Sequence, residues 1–160
     1  MIEQELETKI VTAIQALGVA GLEVRGLWNP VAAGLVKGEE ADASIPADAI
    51  VRVSPRGYGS YTIPNVTFDC AIALVVRTDL DPTGSILAAA ADAISAKLAA
   101  WHDTVCENNA AGLAFDGFMP GGFSVSVGIG PEFDRPSATW GVTFPFSIEG
   151  TLVPVEETSA

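Results

Sequence analysis

The fold of this chain is decided by residues 66–102, VTFDCAIALVVRTDLDPTGSILAAAADAISAKLAAWH. Period-two alternation at the start of this stretch predicts a long β-strand with one continuously apolar face. The odd positions are smaller or polar, so we expect the opposite face of the strand to be partly solvated. The apolar face is made by the even positions Val66, Phe68, Cys70, Ile72, Leu74 and Val76.

An acidic turn and an amphipathic helix are predicted directly after this strand. Asp81 suits the N-cap of a helix, and Pro82 suits the first helical position. Apolar residues at helical spacing then predict a helix over 83–101 that lies on the sheet. The polar residues 102–110 predict a loop after it. The apolar stripe consists of Ile86, Leu87, Ala90, Ala91, Ile94, Leu98 and Trp101.

The residues before this stretch predict another helix and two strands. Apolar side chains from Ile2 to Leu17 recur at helical spacing, which predicts a first helix over residues 2–17. Strands are predicted at 22–27 and 48–54. The second of these should pair antiparallel with 61–77, because the residues between them have the composition of a turn.

The last part of the chain predicts two or three further strands. Residues 112–119 fit a short strand, Pro120-Gly-Gly fits a turn, and 123–129 alternates cleanly. After a second break at 130–137, residues 139–149 alternate again, with Trp140, Val142, Phe144, Phe146 and Ile148 on one face. Pro145 cannot donate a ladder hydrogen bond, so we expect an edge or bulged position there.

This order of elements predicts an α+β fold, an antiparallel or mixed β-sheet with two amphipathic helices packed on one face. We expect a single domain over residues 1–152, with a long loop at 28–47 and a flexible C-terminal tail at 153–160. The length of 160 residues is sufficient to bury a core.

The composition of the chain argues against nucleic-acid binding, membrane insertion and secretion as parts of its function. Eight basic and twenty acidic residues give a net charge of −12, which argues against sequence-specific binding of nucleic acid by phosphate neutralisation. No apolar run reaches the roughly 18 residues that a membrane span needs, so no membrane partner is expected. The acidic start, MIEQELETK, is unlike a basic signal peptide, so synthesis in a cytoplasm is expected.

No motif predicts catalysis, a cofactor or a metal site. The turn that begins at Asp79 resembles the opening of an EF-hand loop, but position twelve is Ala90 instead of glutamate. His102 has no nucleophile placed near it by a motif, and Cys70 and Cys106 form no CxxC pair. Cys70 is expected to be a buried free thiol. We therefore predict no catalytic, cofactor-binding or metal-binding residue and no enzyme activity.

Six residues are predicted to make oligomer or partner contacts. A loop as long as 28–47 is usually functional or disordered, and it contains three of them. The tip of the hairpin combines aromatic residues with an arginine, as contact surfaces often do, although aromatic side chains also pack within loops. The six residues are Trp28, Leu35, Val36, Arg56, Tyr58 and Tyr61.

The chain resembles the tail-terminator or tail-completion proteins of long-tailed bacteriophages. The resemblance covers residues 2–150 in element order and includes the pattern V-x-F-x-C-x-I-x-L-V-V-R-T-D followed by A-A-A-A-D-A-I-S-A-K-L. It implies a virion structural protein that forms a homo-oligomer, a hexameric ring. It also implies that the ring caps the tail tube, contacts the tail tube protein and joins it to the neck or head-completion proteins. The Gly- and Phe-rich segment 111–137 departs from the family pattern.

We therefore expect a non-enzymatic tail terminator, located in the virion, with DNA passing through the ring. Two alternatives remain open. The first is another neck or minor tail protein, such as a head–tail adaptor. The second, from a different class, is a small-ligand-binding or enzymatic α+β domain.

Overall fold

Two helices and six strands are formed by the residues that the computed structural model describes, which are 2–28, 45–54, 65–108 and 112–152. Between residues 105 and 108 the description covers the backbone alone. The elements in chain order are α1 (Ile2–Gln15), β1 (Leu22–Gly26), β2 (Ala47–Val53), β3 (Asn65–Arg77), α2 (Ser85–Asn108), β4 (Phe118–Val125), β5 (Ile129–Asp134) and β6 (Thr139–Leu152).

The strands form one mixed sheet in the order β1-β2-β3-β6-β4, and β5 also pairs with β6. β1 and β2 run parallel, and all other pairs are antiparallel. The predicted α+β class and the predicted antiparallel pairing of β2 with β3 are confirmed. β4 and β5 lie on the same side of β6, one after the other, so they act as one edge strand interrupted at 126–128.

The alternation in β3 separates a buried face from a more open one, as predicted. Each even position from 66 to 76 is at most 5% exposed, whereas the odd positions are half-buried or exposed. Leu6 and Ile10 from α1 and Ile94 and Leu98 from α2 pack into the same hydrophobic core as these residues. Both helices therefore cover one face of the sheet.

Helix α2 begins later and ends later than the sequence predicts. The Asp81 carboxylate accepts hydrogen bonds from the backbone N–H groups of Ile86 and Leu87, at 3.1 and 2.9 Å, but it does so from outside the helix. Gly84 has φ +73° and starts the helix at Ser85, so Pro82 is not helical. At the other end the helix continues through the predicted loop to Asn108, because polar residues without Gly or Pro contain no stop signal.

Two segments that the sequence predicts to be breaks between strands lie largely within strands. β4 continues through Pro120-Gly-Gly, where a register shift between Pro120 and Gly122 absorbs the irregularity as a bulge. β5 occupies most of the predicted break at 130–137 and contains Pro131, which an edge strand tolerates. β6 is 14 residues long and offers pairing partners along this whole stretch, so the edge forms despite the glycines and prolines.

Pro145 lies in a central strand, which corrects the predicted edge position. β6 has β3 on one side and β4 with β5 on the other. The Pro145 carbonyl accepts a hydrogen bond from the Ser126 N–H at 3.1 Å. A residue in an antiparallel ladder directs its N–H and C=O to the same neighbour, so the missing N–H of Pro145 faces the break at 126–128. The edge strand is thus interrupted where its partner has no donor.

We expect Leu74→Asp or Ile94→Asp to unfold the protein. Both side chains are fully buried, so a carboxylate there would lose its hydration without gaining a partner. The cost should be several kcal/mol, on the order of the whole stability of a small domain. Urea or thermal denaturation measures it. Ala89→Asp, on the exposed face of α2, is the matched control and should melt near the wild type. Normal melting of either core variant would contradict the assigned core.

Candidate functional site

Trp28 is the one predicted contact residue that lies within the described part of the chain. It directly follows β1 and is half-buried against the hydrophobic core. Its backbone N–H donates to Glu7 Oε1 at 2.7 Å, and its indole Nε1–H donates to the Val53 carbonyl at 2.6 Å. Trp28 is therefore anchored to α1 and to β2.

The Glu7 carboxylate that holds Trp28 is buried, which the sequence pattern did not indicate. Glu7 is 0% exposed although it lies in an acidic first half of α1. A Cβ at Gly26 would collide with this carboxylate, so only glycine leaves room for it. The two residues are 19 positions apart in the sequence, and no local spacing connects them. The absence of a side chain at Gly26 lets the Glu7 carboxylate come close to the backbone, where it accepts the hydrogen bond from Trp28.

The other five predicted contact residues lie outside the described residues. Leu35 and Val36 are in segment 29–44, and Arg56, Tyr58 and Tyr61 are in segment 55–64. The described ends of these segments do come together. β1 and β2 are parallel and β3 is antiparallel to β2, so Trp28, Ser54 and Asn65 all lie at the same end of the sheet. We name this end of the sheet the Trp28 end.

A shallow hollow lies beside Trp28. It measures about 500 Å³ and is lined by Leu27, Trp28, Arg52, Val53 and Ser54. Leu27 is 47% exposed, and Arg52 is exposed on β2. An apolar side chain and a guanidinium beside a half-buried indole match the composition of protein contact surfaces. Arg52 and Leu27 extend the predicted contact set.

A polar cluster lies on the opposite face of the sheet from the helices. Arg25 is 7% exposed, and its Nη2 lies 3.0 Å from Asp48 Oδ2. Burial raises the pKa of Asp48, and the nearby Arg25 guanidinium lowers it by less. Ionised Asp48 therefore opposes folding, and its contribution to stability falls as the pH rises above the ordinary value of 3.8. The pair links β1 to β2 across the sheet.

The described residues show no arrangement typical of covalent catalysis. Burial raises the pKa of the Cys70 thiol, as does the nearby Asp69 to a smaller extent, so the thiol stays protonated and is a poor nucleophile. His102 Nδ1 lies 3.3 Å from Asp103 Oδ1, and both side chains are exposed on α2. Within the described ranges no hydrogen bond joins His102 to a serine hydroxyl, and no group of three His, Cys, Asp or Glu residues could hold a metal ion.

An exposed apolar corner is the feature that the sequence prediction missed. Val125, Val127, Phe133 and Trp140 are 45%, 90%, 46% and 36% exposed. The rings of Phe133 and Trp140 lie 5.1 Å apart across β5 and β6. We name these four residues the apolar corner. The available signal was the absence of charge from residue 117 to residue 131 in a chain with a net charge of −12.

Known proteins do not identify the chain: no family model matches it, and no curated protein matches its sequence. Neither helix in the described part of the chain is long and apolar enough to cross a membrane. A functional assignment therefore depends on the Trp28 end, the apolar corner and the distribution of charge.

We expect Glu7→Ala to loosen Trp28 and to destabilise the protein by about 1–3 kcal/mol, the usual cost of leaving a buried N–H group without its acceptor. The indole N–H resonance of Trp28 in an NMR spectrum should move, and chemical denaturation gives the free energy. Glu5→Ala is the control, because Glu5 is on the same helix and exposed. Equal effects of the two substitutions would mean that the Glu7 carboxylate does not hold Trp28.

Proposed function

We propose that this chain is a virion structural protein, a tail terminator that forms a ring on the tail tube of a long-tailed bacteriophage. The observation that carries the proposal is the Trp28 end. The two segments with the predicted contact residues are attached there, beside a hollow of contact-like composition. A domain with its contact segments at one end and its helices on one face suits repeated assembly around an axis.

The ring would contact itself, the tail tube protein on one side and the neck or head-completion proteins on the other. The α+β fold with two helices on one face of the sheet agrees with the architecture that the family resemblance implies. The long central strand β3, with the buried pattern quoted for that resemblance, supports it further.

Acidic loops at the opposite end of the sheet support the part of the proposal that concerns DNA. Arg77 is in register with Thr139, and the Thr78 hydroxyl donates to the Ala138 carbonyl at 2.9 Å. These contacts bring the loop at 79–81 beside the hairpin that contains 132–134. Asp79, Glu132 and Asp134 are exposed there, and the Arg77 guanidinium, whose Nη2 lies 3.1 Å from Asp79 Oδ2, offsets part of their charge. An acidic lumen would repel DNA at short range, because charge is screened beyond about 8 Å at physiological salt.

A ligand-binding or enzymatic domain is the second candidate, and one cleft favours it. A cleft of about 590 Å³ between α2 and the edge strand is lined by polar and apolar residues that include His102, Asp103 and Ser126. Its volume is within the range of small-molecule sites. Light scattering and electron microscopy of the purified protein distinguish the two candidates. A hexameric ring supports the tail-terminator proposal, and a monomer that does not assemble on tail tubes contradicts it.

We predict that deletion of residues 34–44 gives a folded monomer that no longer assembles. The deletion removes Leu35 and Val36 and leaves the Trp28 anchor in place. Size-exclusion chromatography with light scattering measures the mass, and circular dichroism tests the fold. A chain that ends at Pro154 is the control and should assemble normally. A deletion variant that still forms the ring would exclude this loop from the interface.

We predict that reversing charge at the acidic loops slows DNA ejection without preventing assembly. Asp79→Lys with Glu132→Lys would let the lumen bind phosphate by counterion release. Asp81 must be kept, because its carboxylate caps α2. Ejection rates from particles with the variant ring, measured by release of DNA-bound dye, test the idea. Glu156→Lys with Glu157→Lys is the control of equal charge. Equal rates in both variants would mean that the acidic loops do not face the DNA.

A further inference from the structure

The outer edge of β1 ends the sheet, because no other strand of the described residues pairs with it. The ladder between β1 and β2 uses the odd positions of β1. The Gly21 carbonyl accepts a hydrogen bond from the Ala47 N–H at 3.1 Å. The Leu27 N–H donates to the Val51 carbonyl at 3.2 Å. The even positions therefore direct their N–H and C=O groups to the outer side, where another strand could pair with them.

Two side chains of α1 bond to backbone groups on this outer side. Gln15 Nε2 donates to the Val24 carbonyl at 3.3 Å. The Trp28 N–H donates to Glu7 Oε1 at 2.7 Å. Between these two points the Glu7 carboxylate lies against Gly26, where a Cβ would collide with it. Val24 and Gly26 are buried although they belong to the terminal strand, so α1 covers this edge.

The spacing of the two contacts along the helix matches their spacing along the strand. Glu7 and Gln15 are eight residues apart, which is about 12 Å along an α-helix. Val24 and Trp28 are four residues apart, which is about 13 Å along an extended chain. The later residue of the helix bonds to the earlier residue of the strand, so α1 runs antiparallel to the edge of β1. Helix α1 thus takes the place that a further strand would have.

β1 itself has few of the features that discourage strand addition at an edge. It contains no proline, and its pairing with β2 shows no register shift. Arg25 is turned onto the neighbouring strand, where its Nη2 lies 3.0 Å from Asp48 Oδ2. The half-buried Glu23 and the short length of five residues are the exceptions. The opposite edge, by contrast, contains Pro131 and an irregular register.

We propose that Glu7 and Gln15 close the outer edge of β1 against strand addition by another chain. The partner that they exclude is an extended segment, from a second copy or from another protein, because such a segment offers donors and acceptors at the spacing of a strand. Glu7 is buried, whereas Gln15 is exposed. Gln15 can therefore be changed while the core stays intact. The closure goes beyond the proposed ring and does not depend on it.

Gln15→Ala and Gln15→Asn test the closure. Alanine has no donor, and the asparagine amide is one methylene shorter, so neither side chain can bond to the Val24 carbonyl. Both variants should melt near the wild type in circular dichroism, because position 15 is exposed. In sedimentation velocity we expect the fraction of protein in species larger than those of the wild type to rise at least about tenfold, because an open edge pairs with other chains.

Gln15→Arg and Thr12→Ala are the controls. Arginine restores a donor of sufficient length, and it lowers the net negative charge, so stronger repulsion between chains cannot explain a wild-type result. Thr12 is exposed and lines the hollow beside β1, but its side chain makes no hydrogen bond to β1 within the described residues. Both variants should sediment like the wild type.

Amide hydrogen exchange identifies the surface that the larger species use. Strand addition should slow the exchange of the Val24 and Gly26 amides in the larger species of Gln15→Ala, since these N–H groups face outward. Folded Gln15→Ala and Gln15→Asn variants that sediment like the wild type would overturn the inference. Larger species without that slowing, or equal association of Gln15→Arg, would overturn it as well. A wild type that forms no ring contradicts the proposed function and leaves the closure of β1 standing.

Discussion

The pairing of β3 with its two neighbours sets the register of the central strands and the position of the core. β3 is hydrogen-bonded to β2 on one side and along its full length to β6 on the other. Because side chains alternate with a period of two, a slip of one residue would turn the whole apolar set of β3 away from the helices. Burial of that set against α1 and α2 therefore specifies the register of three strands at once.

The helix layer is narrower than the sheet, so part of the sheet has no helix over it. α1 packs on β1 and β2, and α2 packs mainly on β4, so the region of β5 and the start of β6 is left without a helix. Aromatic packing of Trp101 against Phe123 and Phe146 holds α2 over β4, at centroid distances of 5.9 and 6.4 Å. The position of α2 thus determines which apolar residues of β6 are core and which are surface.

The two ends of the sheet differ in the side chains that they present. At the Trp28 end, a buried carboxylate and a glycine hold an indole at the start of a long segment. At the other end, exposed acidic side chains from two loops lie together.

Sequence patterns alone predicted the α+β class, the buried face of β3, the antiparallel pairing of β2 with β3 and the apolar stripe of α2. These features follow from local periodicity, which burial on one face imposes directly. It did not predict the true ends of α2 or the strand nature of residues 129–134. The Gly and Pro residues there predicted a break in the strand. β6 is long enough to pair with both β4 and β5, so an edge strand forms in spite of them.

Sequence patterns did not predict which polar residues are buried or which apolar residues are exposed, because both depend on tertiary packing. Glu7 looks like an exposed acid of a first helix, yet it is buried because Gly26 and Trp28 meet it from a distant strand. Trp140 continues the apolar row of β6, yet it is exposed because α2 ends its coverage near Phe144. Burial depends on what packs opposite a residue, and that partner is set by contacts between segments far apart in the chain.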